Sequence, residues 1–200
     1  MLRKRLGLGA VAVFLVGCAP DKQAPTAFEV RAPLFAMGGN SASNLGTHLT
    51  GDEEVFTPTP PSTATPADSR AQGQAIFRIS ADESTVDFRL IASNIDNAFM
   101  AHIHCGAAGS NGPIMIWLYP PSGTPGPAGS GPQNGVLASG SFSPTGTCQG
   151  RTLLDAMRAG LTYVNVHTND GAGTVNTGPG DFPGGEIRGQ LGDKNNPAEN

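Results

Sequence analysis

The sequence predicts an all-β domain, a sandwich or Greek-key barrel of about eight short strands with one short helix. Three observations carry that prediction. Glycine (28) and proline (17) together exceed a fifth of the 200 residues, while charged residues make up only 14%, a balance that supplies turns and leaves little for long amphipathic helices. Short runs alternate apolar with polar residues, as in Ala75, Phe77 and Ile79 or Val86, Phe88 and Leu90, the period of a half-buried strand. Stretches rich in Gly, Pro, Ser and Asp separate these runs at the spacing of antiparallel sheets. The length allows one domain of ordinary size with tails.

The chain opens with MLRKRLGLGAVAVFLVGC, in which Arg3, Lys4 and Arg5 precede an apolar run from Leu6 to Val16. That is the pattern of an export signal, and the run is shorter than the roughly 20 apolar residues a permanent span needs. Leu15-Val16-Gly17-Cys18 resembles the bacterial lipobox. The resemblance implies removal of residues 1–17 as a signal peptide, lipidation of Cys18, and a mature chain held to a membrane by acyl chains. Ala19, where retention signals carry aspartate, points to the outer membrane of a double-membraned bacterium, and otherwise to the cell surface. Removing the signal takes the formal net charge from −4 to about −7, which argues against nucleic acid as a partner.

Residues 18–44 lack sustained periodicity and are rich in Ala, Pro, Gly and Ser, so they are expected to form a flexible tether. The domain is expected over 45–192. Its elements begin with NLGTHLTGDEEV, a short strand running into an acidic turn. FTPTPPSTATPADSR is too proline-dense for a central strand. GQAIFRIS and STVDFRLIAS form a hairpin joined at ADE. AFMAHIH is a strand, CGAAGSNG a turn and PIMIWLY a strand. PPSGTPGPAGSGPQNG (120–135) is expected as a long loop and VLASGSF as a strand. In RTLLDAMRAG, Leu153, Leu154 and Met157 share a helical face and Gly160 stands at the stop position. LTYVNVHTN and GGEIRGQL close the domain, and residues 193–200 are expected to fray.

In a strand His102 and His104 project to one face and Ala101, Ile103 and Cys105 to the other; in YVNVHTN the same rule groups Tyr163, Asn165 and His167 against Val164 and Val166. His167 is the candidate third ligand, and three imidazoles suit copper or zinc. The competing expectation is structural: these histidines and Asn165 hydrogen-bond the backbone of the GAAGSNG turn, with Gly106, Gly109 and Gly112 taking positive φ. With Cys18 lipidated, Cys105 and Cys148 remain as an isolated pair, expected to be a disulfide outside the cytoplasm; thiol metal ligation or two free cysteines are the alternatives. Glu186 and Arg188 share a strand face with Ile187 facing in, either as an anion or substrate clamp or as a brace of the last strand. Trp117 and Tyr119 share a face, expected to serve packing, and GDEE (51–54) is expected as a solvated turn although it has the chemistry to join a calcium site. Ser62 and Ser69 lie in loops without a nucleophile-elbow motif.

LTGDEEV, AHIHCGAAGSNGPIMIWL, LLDAMRAGLTYVNVHTN and PGGEIRGQL, in that order, resemble the CHRD domain, the module named after chordin and widespread in bacterial exported proteins. The likeness covers roughly residues 45–192. It implies an immunoglobulin-like or related β-sandwich and brings no established enzymatic activity. A weaker likeness is to Cu/Zn superoxide dismutases, which would make His102, His104 and His167 copper ligands and Arg188 an anion guide. Those enzymes use a fourth copper histidine and a zinc cluster, whereas His48 is the only other histidine and lies on the first strand. The expectation is therefore a lipid-tethered, non-catalytic binding or structural module of the envelope, with an envelope or extracellular protein as its ligand. The alternative is a copper- or zinc-binding redox protein.

Overall fold

The computed structural model describes residues 44–192 apart from Thr57, Thr59 and Pro60. The export signal, Cys18, the tether through residue 43 and the tail 193–200 lie outside the described residues. Among the described residues the strands are β1 (Asn44–Thr50), β2 (Gln72–Ile79), β3 (Val86–Asp96), β4 (Ala98–Cys105), β5 (Ile114–Tyr119), β6 (Pro132–Phe142), β7 (Thr147–Cys148), β8 (Arg151–Thr152), β9 (Thr162–Thr168) and β10 (Ile187–Leu191). The one α-helix, α1 (Leu153–Arg158), falls between β8 and β9.

Eight strands form one antiparallel sheet in the order β5-β4-β9-β10-β1-β2-β3-β6. The sheet curls until its edge strands β5 and β6 lie side by side, nearly closing a barrel. Strand alternation sends Leu49, Ala75, Phe77, Leu90, Ile103, Val164, Val166 and Ile187 into the interior, all buried. Each large one contributes about 1.5–3 kcal/mol of burial. α1 adds Leu153, Leu154 and Met157 to that core. It starts where the Thr152 hydroxyl accepts the Asp155 N–H (3.2 Å) and stops before Gly160, whose φ of 74° is left-handed.

The β2–β3 hairpin is pinned by Asp82, whose carboxylate accepts the Ser80 hydroxyl at 2.6 Å and the Ser84 N–H at 3.1 Å. Those bonds, led by the one from Ser80, pull its pKa down to about 2. One expected boundary is corrected: β6 begins at Pro132, inside the expected loop. Pro132 opens an edge strand, where proline is tolerated. Register shifts in the β3–β6 ladder, with Gly135 at φ 106°, let the glycine-rich stretch pair despite its composition.

Candidate metal centre

β4, β9 and β10 are neighbours, and their registers align outward-facing polar side chains in rows. His102 lies opposite Asn165, His104 opposite Tyr163 and Met100 opposite His167; Asn165 lies opposite Arg188. On most sheets such a face meets water. Here all seven residues of β9 are buried, because three loops roof the outer face. Asn111 Nδ2 donates to Val55 O (2.8 Å), and Arg188 donates to Asn111 Oδ1 (3.0 Å) and Ser110 O (2.8 Å). Phe56 packs edge-on against Phe182 with centroids 5.6 Å apart. The roof therefore consists of segments 51–56, 106–113 and 180–185.

Under it His102, His104 and His167 meet. One ligand atom from each lies within 4.8 Å of the other two, and the rings are 0%, 8% and 6% exposed. The hydrogen bonds fix the tautomers. His104 Nδ1 faces Gly112 O at 2.9 Å and His167 Nδ1 faces Pro183 O at 2.9 Å. A carbonyl only accepts, so both δ nitrogens carry the proton and both ε nitrogens present a bare lone pair. His102 Nδ1 lies 3.2 Å from His167 Nε2, so His102 donates from Nδ1 and its own Nε2 is bare. His102 Nε2 and His104 Nε2 are buried without a hydrogen-bond partner among the described residues.

Burial lowers all three imidazole pKa values, since no water remains to solvate a cation. His102 falls to about 3, with His167 and His104 pushing the same way. His167 falls to about 4, its bond to Pro183 opposing and His104 assisting. His104 is lowered too, against the opposing bond to Gly112. At neutral pH the site is three uncharged nitrogen donors.

Aromatic rings enclose it. Trp117 meets His102 edge to face with centroids 4.2 Å apart, and Tyr163 stacks on His104 at 4.9 Å and 6°. Arg188 caps the other face of the stack, its Cζ 3.4 Å from the Tyr163 centroid. Asn165 lies between His104 and Glu54, bearing on the titration of both. Glu54 Oε1 is sealed from solvent without a partner among the described residues. Burial raises the Glu54 pKa to about 7, opposed by Arg188 and by hydrogen bonds from Asn165 and the Val55 backbone.

The sequence expectations divide at this site. The three histidines expected together are together, and Cys105 and Cys148 are joined as a disulfide with Cα atoms 5.5 Å apart. Glu186 and Arg188 share a face without pairing: Glu186 accepts from Ser69 Oγ (2.5 Å), Thr168 Oγ1 (2.6 Å) and Gly180 N (2.9 Å), and Arg188 holds the roof. Of the three turn glycines only Gly109 has positive φ, 73°. Gly112 is needed for space instead, since a Cβ there would stand 1.6 Å from Cys105 O. Trp117 packs against His102, but it does not share a face with Tyr119 as expected: a register shift in the β4–β5 ladder sets Tyr119 opposite the inward Ala101, packed on the core. Two participants escaped sequence reasoning. Ser69, in a loop without a nucleophile-elbow motif, braces Glu186 from 117 positions away, and Glu54, the last residue of an expected solvated turn, is tucked beside Gly185. No local signal marks either.

No curated protein and no solved structure matches the chain. The family model described as the CHRD domain matches residues 45–191, a span that contains the whole sheet except its first residue, all three histidines, the disulfide and every segment of the roof. The chain belongs to the CHRD domain family.

Proposed function

We propose that this protein is an exported CHRD-domain lipoprotein, tethered through Cys18, that acts as a binding module without catalytic turnover and takes a copper or zinc ion on His102, His104 and His167. One observation carries the metal reading: a ring nitrogen from each of three buried histidines lies within 4.8 Å of the other two, and the ε nitrogens of His102 and His104 have no hydrogen-bond partner among the described residues. A buried acceptor without a donor costs about 1–3 kcal/mol, and a metal ion is the ligand that would satisfy several at once. Nitrogen ligands about 2.0 Å from one ion stand roughly 3.3–3.5 Å apart. The 3.2 Å between His102 Nδ1 and His167 Nε2 already fits, and the ligand atom of His104 lies within 4.8 Å of the other two. The Nδ1–H bonds to Gly112 O and Pro183 O are the supports that orient metal-binding histidines.

Those same two bonds favour a second reading, in which His104 and His167 are latches of the roof. Calorimetric titration of copper and zinc into the full chain separates the two. The metal reading expects one equivalent bound, and binding lost in the triple variant His102→Ala, His104→Ala, His167→Ala. No heat from the native chain, with a lower melting temperature in the variant, would leave the histidines as latches. The tether rests on the sequence at residues 1–19, and intact mass of membrane-extracted protein tests it: a lipidated Cys18 terminus is expected, and an unmodified one overturns it.

A further inference from the structure

The three-histidine reading leaves open which ion and which charge, and the surroundings of the site speak to both. The first relevant feature is donor number. Three imidazoles converge, with Trp117 packed against His102 and Tyr163 against His104. The second is charge. All three ligands are neutral; of the ionisable groups in the same buried layer Arg188 is cationic, Glu54 is a single carboxyl, and Glu186 has its carboxylate oxygens occupied by Ser69, Thr168 and Gly180. With Glu54 ionised its charge and that of Arg188 cancel; with Glu54 protonated the pair carries one positive charge. Neither Arg188 nor Glu54 thus supplies the excess negative charge a divalent ion would need in a site closed to water. Desolvation grows with the square of ionic charge, so a divalent ion costs about four times as much to bury as a univalent ion of the same size. Imidazole ligands suit copper, which is stable as a univalent ion in three-coordinate ligation, whereas zinc sites are almost always four-coordinate.

The third feature is the tautomer of His102. His104 and His167 are held with Nε2 unprotonated by their bonds to carbonyl oxygens. His102 has no such anchor: its Nδ1 proton rests on His167 Nε2, and its Nε2 has no partner among the described residues. Binding at the short His102–His167 edge requires that proton to leave Nδ1, and the bare Nε2 of the same ring is there to take it.

We infer that the site is built for univalent copper, ligated by Nε2 of His104, Nε2 of His167 and Nδ1 of His102, with the His102 proton moving from Nδ1 to Nε2 as the ion enters. The proton stays on the imidazole, so binding releases none, and copper enters and stays as Cu(I) with no change of oxidation state. This inference rests on the three-histidine reading of the site.

The experiment uses the full chain carrying Cys18→Ser, which removes the thiol outside the disulfide and with it a competing soft ligand. Cu(I) is supplied under nitrogen as its acetonitrile complex, which spares the Cys105–Cys148 disulfide, and Zn(II) and Cu(II) are titrated separately and in competition. One equivalent of Cu(I) is expected, preferred over Zn(II) by at least about 100-fold. Calorimetry in buffers of different ionisation enthalpy should show no net proton release. X-ray absorption should show three nitrogen neighbours and no sulfur, a readout that needs no variant to fold. Emission from Trp117, the lone tryptophan, should change on binding in the native chain and in His48→Ala but not in His102→Gln. Zn(II) or Cu(II) bound in preference, a fourth ligand, or a released proton would overturn the univalent assignment and leave the three-histidine reading standing. Failure of all three ions to bind would remove both.

Discussion

The two halves of the barrel treat their outer faces in opposite ways. On β2 and β3 the outward residues Gln72, Gln74, Arg78, Asp87 and Arg89 are exposed to solvent. On β4, β9 and β10 the outward residues His102, His104, Asn165, His167 and Arg188 are buried, as is Glu186 immediately before β10. Both halves obey the same alternation, and their inward residues join one apolar core. The difference lies in the loops. Residues 51–56, 106–113 and 180–185 close over one half, turning an ordinary polar face into a dry layer in which hydrogen bonds are strengthened and orphaned atoms become costly. Polar side chains that would be nearly neutral in water therefore fix the roof, the imidazole tautomers and the site.

The strongest way to break this contrast is to cut the staple between the site half and its surroundings. The Cys105–Cys148 bridge spans 43 residues and joins the end of β4, one residue past His104, to β7. A loop of that length implies about 4 kcal/mol from restriction of the unfolded chain. Cys105→Ala with Cys148→Ala should therefore lower the melting temperature by roughly 10 °C. Exposure of Trp117, read by its emission maximum, should accompany the loss if the staple also holds the roof loop that begins at Gly106. A change below about 1 kcal/mol would mean that roof and core hold without it.

A matched pair of arginines sharpens the comparison. Arg188→Met keeps much of the aliphatic bulk but strips the donors from Ala107 O, Ser110 O and Asn111 Oδ1 and the cation from Tyr163. The expected loss is about 3 kcal/mol, because buried acceptors are left unpaired. Arg89→Met, on the solvated half, should stay within about 0.5 kcal/mol. Denaturant melts of the two variants decide it. Equal losses would deny that the roof sets the energetics.

The same contrast explains what could be read from the sequence. Alternation placed His102 with His104, and Tyr163 with Asn165 and His167, because side-chain direction in a strand is a local property. The helix and its stop were equally local, written in Leu153, Leu154, Met157 and Gly160. Whether an alternating face meets water is not local: it depends on Asn111 reaching Val55, 56 positions away, and on Ser69 reaching Glu186, 117 away. For that reason Glu54 read as one of three solvated acids in GDEE, although only its neighbours Asp52 and Glu53 are exposed. The early start of β6 was hidden likewise, because Pro132 and Gly135 signal a loop unless register shifts with β3 accommodate them.

Glu54 gives the smallest and most discriminating test, because its linkage to pH opposes that of the histidines beside it. In the metal-free protein the folded pKa values of His102 and His167, about 3 and 4, lie below the unfolded value of 6.5. Between those limits the unfolded chain binds the extra protons, so the histidines cost stability as pH falls from about 6.5. The folded pKa of Glu54, about 7, lies above its unfolded value of 4.5. The folded state therefore keeps a proton that the unfolded chain has lost, and this carboxyl costs stability as pH rises from about 4.5 through 7. Two histidines outweigh one carboxyl on the acid side, which puts the stability maximum near neutrality. Glu54→Gln replaces the acid by a neutral group of the same shape. The variant should match the native chain at pH 5 and exceed it at pH 8 by about 1–2 kcal/mol, the penalty for ionising a sealed carboxyl. Thermal melts at the two pH values measure it. A gain at neither would mean that Glu54 is solvated in the folded protein and that the roof does not exclude water at its edge.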